Sequence, residues 1–305
     1  MFRFDREQRT FEISGVKVGG QPGENPTVMI GSIFYKGDKI VQDEKAGIFD
    51  CEAAKALISK LEDISDRTGL PAMLDVVCSN PENSRRYLEF AAEATKMPIL
   101  IDYVSEEAGL CGMEAAKDIG ILDRTILNSI NPETKPSIYE KAREVGLQSA
   151  IALTYSTKAI ISFKERIKIL ETLIPKMESA GIRKILVDTV VLDIATLGLA
   201  CKAIFEVKER YGYPSGCGAH NAVASWKTLK EKKDRILLMV CSSIANGLPI
   251  AVGADFVLYG PISDAEYMFP AISLINAAYA QILMEEGKRP PPSHPRFKIS
   301  KLILK

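Results

Sequence analysis

Histidine and tryptophan are scarce in this chain: two of the former and one of the latter in 305 residues. His220 and His294 lie far apart, and the six cysteines (Cys51, Cys78, Cys111, Cys201, Cys217 and Cys241) contain no C-x-x-C pair. No cluster therefore has the spacing of a metal site, and a structural zinc is not expected. Dispersed cysteines in a chain of this length read as reduced thiols. Net charge is lacking too, because 39 basic residues balance 39 acidic ones. That balance gives no electrostatic footprint for nucleic acid or for an anionic membrane. No apolar run reaches the roughly eighteen residues of a membrane span. Met1-Phe2-Arg3-Phe4-Asp5-Arg6 has neither the apolar core nor the cleavage site of a signal peptide. A Walker A pattern is absent as well. The expectation is a cytoplasmic globular protein with no direct membrane insertion.

Hydrophobic residues make up 47% of the chain, ample for a large core. They fall into short runs separated by longer stretches with apolar residues at three- and four-residue spacing, such as Ala53-Leu57-Leu61-Ile64 and Ile167-Leu170-Ile174-Met177. Eight short runs read as strands: 27–33, 72–77, 99–101, 125–127, 149–153, 184–187, 213–216 and 256–258. Gly or Pro stops several of the helices before them, as at Gly69, Pro98, Gly146 and Gly181. Eight βα units predict a closed (β/α)8 TIM barrel, with a doubly wound sheet as the alternative. Residues 2–18 alternate apolar and polar over short runs and predict an antiparallel hairpin ahead of the barrel. The long, charged loop 34–49 after the first strand has the length of a functional loop. The expected organisation is one barrel domain over residues 1–305. Within it, 1–26 form a hairpin extension and 288–305 a tail strapped across the surface.

In such a barrel the C-terminal strand ends carry the chemistry. Here those ends repeatedly bear carboxylate or carboxamide: Asp75, Asp102, Asn128, Asp188 and, after the seventh strand, Asn221. Any one Asp after a strand can simply cap the next helix. Five on one rim suit a neutral heterocycle that offers N–H donors and carbonyl acceptors along its edge. The stretch Tyr213-Pro214-Ser215-Gly216-Cys217-Gly218-Ala219-His220-Asn221 places small residues (Ser215, Gly216, Gly218) where a backbone can approach a ligand. His220 and Asn221 follow at an expected helix N-terminus, with one of them at the N-cap and the helical run continuing over 222–233. The stretch half-matches a dinucleotide G-x-G-x-x-G, but it lies at the seventh strand and its third glycine is Asn221. Cys217 near His220 is a weaker alternative, a nucleophilic pair.

Five motifs carry a family resemblance: Gly19-Gly20-Gln21-Pro22-Gly23, Ile30-Gly31-Ser32-Ile33-Phe34-Tyr35, Leu127-Asn128-Ser129-Ile130, Gly218-Ala219-His220-Asn221 and Phe256-Val257-Leu258-Tyr259-Gly260-Pro261. With these the chain resembles the H subunit of tetrahydromethanopterin S-methyltransferase and its bacterial relatives that exchange methyl groups between cobalamin and tetrahydrofolate. It is more distantly similar to barrels of the dihydropteroate-synthase type. The resemblance implies a homodimeric methyltransferase that binds a reduced pterin in its barrel mouth. It implies pterin-binding roles for Asp75, Asp102, Asn128 and Asp188, and a hydrogen bond from Asn221 to the reacting ring nitrogen. Ser215 and Gly216 are expected to line the pterin site. The other substrate is a corrinoid (cobalamin). No D-x-H-x-x-G signature is present, so the corrinoid is expected on a partner corrinoid protein docking over the mouth. Residues 222–225, after Asn221, depart from the pattern of the methanogen protein, and tetrahydrofolate is therefore the narrowly favoured pterin over tetrahydromethanopterin.

Overall fold

In the computed structural model, which describes residues 3–299, eight parallel strands close into a barrel. In chain order these are β3 (Val28–Ile33), β6 (Ala72–Cys78), β7 (Ile99–Tyr103), β8 (Thr125–Ile130), β9 (Ser149–Leu153), β10 (Lys184–Asp188), β11 (Ser215–Cys217) and β12 (Phe256–Pro261). Each pairs with its successor and β12 closes onto β3, through pairs such as Val257 with Met29. Two antiparallel hairpins flank them: β1 (Thr10–Ile13) with β2 (Val16–Gly19), and β4 (Val41–Asp43) with β5 (Ile48–Phe49). The second hairpin gives structure to the long loop after β3. Closure removes every sheet edge, which an open doubly wound sheet would leave exposed.

The helices are α1 (Cys51–Thr68), α2 (Pro81–Ala94), α3 (Glu106–Ile119), α4 (Pro136–Val145), α5 (Phe163–Ser179) and α6 (Ile194–Tyr211). After β11 come α7 (His220–Ala224), α8 (Lys227–Glu231) and α9 (Arg235–Ala251). The chain ends with α10 (Ala265–Glu285) and α11 (Pro295–Lys298). N-cap side chains start several of them: Asp50, Asn80, Ser105, Ser162, Asp193 and Asp234 each accept a backbone N–H from the first turn. The expected single helix over 222–233 is instead α7 and α8. Trp226, one turn beyond the buried Ala222, is exposed, so no apolar face carries the helix through it. Nor does His220 or Asn221 cap α7; Ala219 stands at that N-cap with no side-chain bond. The segment Ile262–Glu285, ending in α10, is long and apolar enough to cross a membrane by length and composition alone. In this structure it packs against α1, α9 and α11 as the last barrel helix.

Side-chain alternation along the strands builds the barrel interior in layers. Val28 and Phe256 lie at the N-terminal end, where Ile13 and Val18 of the first hairpin join them as a plug. Above them come Ile30, Met73, Leu100, Ile126, Ile151, Leu186 and Leu258. The plugged end is also tied by a buried ion pair: Lys208 Nζ lies 2.7 Å from both oxygens of Asp255 and donates to Gly20 O at 3.0 Å. The tail crosses from α10 to the end of α1, with Arg296 on Gln281 and Lys298 on the Asp66 carbonyl. Residues 1–2 of the expected extension and 300–305 of the expected tail lie outside the described residues.

Candidate active site

Two residues beyond the upper apolar layer, the strands present Ser32 after Ile30, Asp75 after Met73, Asp102 after Leu100, Asn128 after Ile126 and Asp188 after Leu186. The spacing of two keeps each on the interior face, and the pairings Ser32 with Asp75 and Asp102 with Asn128 set them side by side. The layer is joined by hydrogen bonds. Ser32 Oγ donates to Asp75 Oδ2 at 2.7 Å, and Asn128 Nδ2 donates to Asp75 Oδ1 at 3.0 Å. With its Nδ2 turned to a carboxylate, Asn128 leaves its carbonyl oxygen for the mouth. The Asp102 carboxylate makes no hydrogen bond with any described residue, and the residue is half-buried at the mouth.

Burial governs the electrostatics. It pushes the Asp75 carboxyl up to about 6, against the lowering effect of its two donors. Asp102 is raised well above the usual carboxylate range, first by desolvation and then by the Asp75 charge. Asp188 is likewise pushed up to about 6 by burial, although the Val190 N–H at 2.7 Å and the nearby Arg166 pull it down. Arg166, fully buried, holds the strand end that carries Asp188. It donates to the carbonyls of Thr189 (2.6 Å) and Val190 (2.8 Å), and to Ala159 on the neighbouring loop (2.8 Å). None of the three aspartates caps a helix, since α2, α3 and α6 start from Asn80, Ser105 and Asp193.

At the C-terminal end of β11, Asn221 sits in the first turn of α7 with no hydrogen-bond partner for its amide among the described residues. A side chain built on Gly218 would come within 3.3 Å of Asn221 Nδ2, so the glycine keeps that amide open. His220 Nδ1 lies 2.8 Å from the Leu258 carbonyl, and burial lowers its pKa, so it is a neutral ring held against β12. Cys217 is buried on the outer face of the barrel wall with its thiol pushed far up by burial, which does not suit a nucleophile.

Of the other expected site residues, Ser215 stands apart and Gly216 lies beside Asp188 in the register of β10 and β11. Ser215 is buried, its hydroxyl donates to the Tyr213 carbonyl at 2.9 Å, and its backbone N–H donates to Asp255. Gly216 does face the interior, but a Cβ there would lie 2.1 Å from the Phe256 carbonyl oxygen and 2.7 Å from its ring. That glycine makes room for Phe256. Ser32 and Arg166 hold Asp75 and the Asp188 strand end in place, and the sequence alone assigns them no role. Ser32 could have been found by counting two residues on from Ile30; Arg166 neighbours the periodic Ile167 and reads as a solvent-facing position.

The closed (β/α)8 barrel is a fold that solved dihydropteroate synthases share. The enzyme of Xanthomonas albilineans superposes with a TM-score of 0.61 at 16% identity, covering 90% of this chain and 99% of that one. That of Coxiella burnetii gives 0.62 at 14% identity over 89% and 99%. At such identities the likeness shows the fold alone. Sequence comparison goes further. The family described as tetrahydromethanopterin S-methyltransferase MtrH subunit matches residues 6–290. The H subunit of tetrahydromethanopterin S-methyltransferase from Methanothermobacter thermautotrophicus is 39% identical over 98% of this chain and all of its own length. Its counterpart from Methanocaldococcus jannaschii is 37% identical over the same shares. The chain belongs to the MtrH family of methyltransferase subunits.

Proposed function

We propose that this protein moves a methyl group between a ring nitrogen of tetrahydromethanopterin and the cobalt of a corrinoid carried by a partner protein. The observation that carries the proposal is the single interior layer of Asp75, Asp102, Asn128 and Asp188, with the unpartnered Asn221 amide beside it at the mouth. The Asp102 and Asp188 carboxyl groups face the amide N–H and amino groups of a pterin edge, and the Asn128 carbonyl adds a further acceptor. A methyl on a ring nitrogen leaves poorly because the departing nitrogen is a strong base. As the methyl passes to the cobalt, the nitrogen keeps the electron pair of the broken bond and takes a proton from solvent; the Asn221 amide donates a hydrogen bond that strengthens as this negative charge develops, which lowers the barrier without a standing charge. The lean towards tetrahydrofolate is not supported: the Methanothermobacter thermautotrophicus and Methanocaldococcus jannaschii relatives, matched over the full chain, are named for tetrahydromethanopterin.

The residues of this chain do not fit a corrinoid of their own. His220 is engaged at Leu258, and His294 is fully buried as the cap of α11. The corrinoid is therefore the second substrate, brought by a corrinoid protein. Exposed apolar side chains on the loops that follow the strands support a docking site there: Val104, Ile161, Leu192, Ile194 and Trp226 surround the mouth. On the same reading the enzyme is a cytoplasmic homodimer. Mixing the protein with methylcobalamin and either tetrahydromethanopterin or tetrahydrofolate, while recording the cobalamin spectrum, tests the reaction. Demethylation with tetrahydromethanopterin is expected; no spectral change with either pterin would sink the proposal.

A further inference from the structure

We infer that His220 is the proton carrier of the methyl transfer, exchanging a proton with the same ring nitrogen that Asn221 meets. The inference rests on the proposed function and adds the residue through which the solvent proton passes. His220 is half-buried beside the mouth. Its Nδ1 lies 2.8 Å from the Leu258 carbonyl, which can only accept, so in the neutral ring Nδ1 carries the proton and Nε2 a lone pair. A Cβ on Gly260 would stand 3.4–3.5 Å from the Cβ, Cγ and Cδ2 of His220, so that side of the ring lies on a bare glycine of β12. A Cβ on Gly218 would stand 3.8 Å from His220 Cε1 and 3.3 Å from Asn221 Nδ2. The imidazole and the amide therefore border one small space over Gly218. Nε2, bonded to Cε1, has no hydrogen-bond partner among the described residues and is not sealed from solvent.

The proton and the electrons balance in both directions. When the methyl leaves the pterin, an electron pair of cobalt(I) forms the Co–C bond, cobalt is oxidised to cobalt(III), and the pair of the C–N bond stays on nitrogen. The nitrogen then holds two pairs. One keeps the hydrogen bond from Asn221, and the other takes a proton from Nε2 of an imidazolium that solvent has charged. In the reverse direction neutral Nε2 takes the N–H proton, the freed pair attacks the methyl, and cobalt returns to cobalt(I). A carrier between solvent and this nitrogen has to gain and lose its proton near neutral pH, and imidazole is the side chain whose ordinary range allows it.

The surroundings suit a ring that is charged only in passing. From β12 it meets the Leu258 carbonyl and Gly260, and from β11 it meets Gly218. Among the described residues the one charged group that acts on it is Asp264, in the turn after β12. Asp264 in turn feels Tyr267 of α10 and Arg235 of α9. Burial holds the ring below its usual range, while the Asp264 carboxylate steadies the imidazolium when it forms. The other histidine, His294, is buried in the tail as the cap of α11.

Single-turnover methyl transfer at saturating pterin tests this, from methylcobalamin to tetrahydromethanopterin and from the methylated pterin to cob(I)alamin, over a range of pH. The two wild-type profiles should mirror each other. Pterin methylation climbs with pH and demethylation climbs as pH falls, by about tenfold per unit on the sloping side, each levelling as His220 titrates. His220→Asn leaves an amide nitrogen where Nδ1 stands, to donate to Leu258, and removes Nε2. It should transfer at least about 100-fold more slowly and lose the pH dependence, with pterin Kd and melting temperature close to wild type. Free imidazole should restore much of the rate to His220→Ala, which a packing role would not allow. If His220→Asn keeps the wild-type rate and pH curve, the proton travels through a carboxyl of the layer; the inference falls and the methyl transfer stands. Wild-type rates that are flat with pH in both directions overturn it whether or not the variants fold. No transfer by wild type in either direction overturns the proposed function and this inference with it.

Discussion

Asn128 Nδ2 stands 3.0 Å from Asp75 Oδ1, and this contact fixes which end of the Asn128 amide faces the barrel mouth. Ser32 donates to the other carboxylate oxygen, so each Asp75 oxygen already has a donor within the protein. Desolvation still outweighs both donors and lifts Asp75 to about 6.

A carboxyl raised from 3.8 to about 6 on folding makes its ionisation costly in the native state. Between those values the folded chain holds more protons than the unfolded one, so stability falls as pH rises through the window. The difference corresponds to about 3 kcal/mol at neutral pH. Asp75→Asn should therefore raise the melting temperature at pH 7.5 by several degrees and leave it nearly unchanged at pH 4, where Asp75 is already neutral. The same variant should weaken tetrahydromethanopterin binding at least about tenfold, because an amide at 75 no longer dictates the Asn128 orientation. Melting curves at both pH values and calorimetry of pterin binding check the two halves separately.

Asp188, also raised to about 6 in the free protein, makes pterin binding pH-dependent. As an acceptor for pterin N–H groups it must be ionised, so binding below its pKa has to expel a proton. The Asp188 contribution to affinity should be flat above about pH 7 and fall by roughly tenfold per pH unit below 6. Asp188→Asn should remove one such step and lower affinity at pH 7.5. A variant whose affinity still followed the wild-type pH curve would take Asp188 out of the pterin contact. Kd values measured between pH 5 and 8 decide it.

The shared placement of Asp75, Asp102, Asn128 and Asp188 is legible in the sequence because each lies two residues beyond an interior apolar residue on its own strand. Local spacing fixes that relation whatever the neighbouring strands do. The barrel is legible for the same reason, from eight short runs set between amphipathic stretches. What is not legible depends on partners distant in the chain. Gly216 reads equally as a ligand gap or a packing gap until the register brings Phe256 alongside it. Arg166 reads as a surface residue until the Asp188 strand end folds over it. The break between α7 and α8 follows from which face of residues 222–229 the barrel covers, and no Gly or Pro marks it.

Asn221 is proposed to act on the reacting nitrogen and not to hold the pterin, and kinetics can separate these roles. Asn221→Ala should lower kcat about 100- to 1,000-fold, the loss typical of removing one donor from a transition-state charge. The pterin Kd should stay within about threefold, since ground-state binding lies with the other four residues. A matching loss in Kd, with kcat preserved, would make Asn221 one more binding group. Single-turnover methyl transfer alongside calorimetry gives both quantities.

Gly216→Ala distinguishes a glycine that spares a ligand from one that spares a neighbour. The added methyl would lie 2.1 Å from the Phe256 carbonyl oxygen, a backbone atom of the adjacent strand that cannot turn away. Relief requires β11 and β12 to separate, at about 1–3 kcal/mol or more for overpacking a tight core. A drop in melting temperature of several degrees is expected, with the pterin affinity of the folded protein close to wild type. Gly218→Ala should behave in the opposite way. Its methyl meets the Asn221 amide at 3.3 Å and no backbone, so stability should hold while methyl transfer slows. If Gly216→Ala melted like wild type and lost pterin binding, Gly216 would belong to the site after all and Phe256 would not explain it.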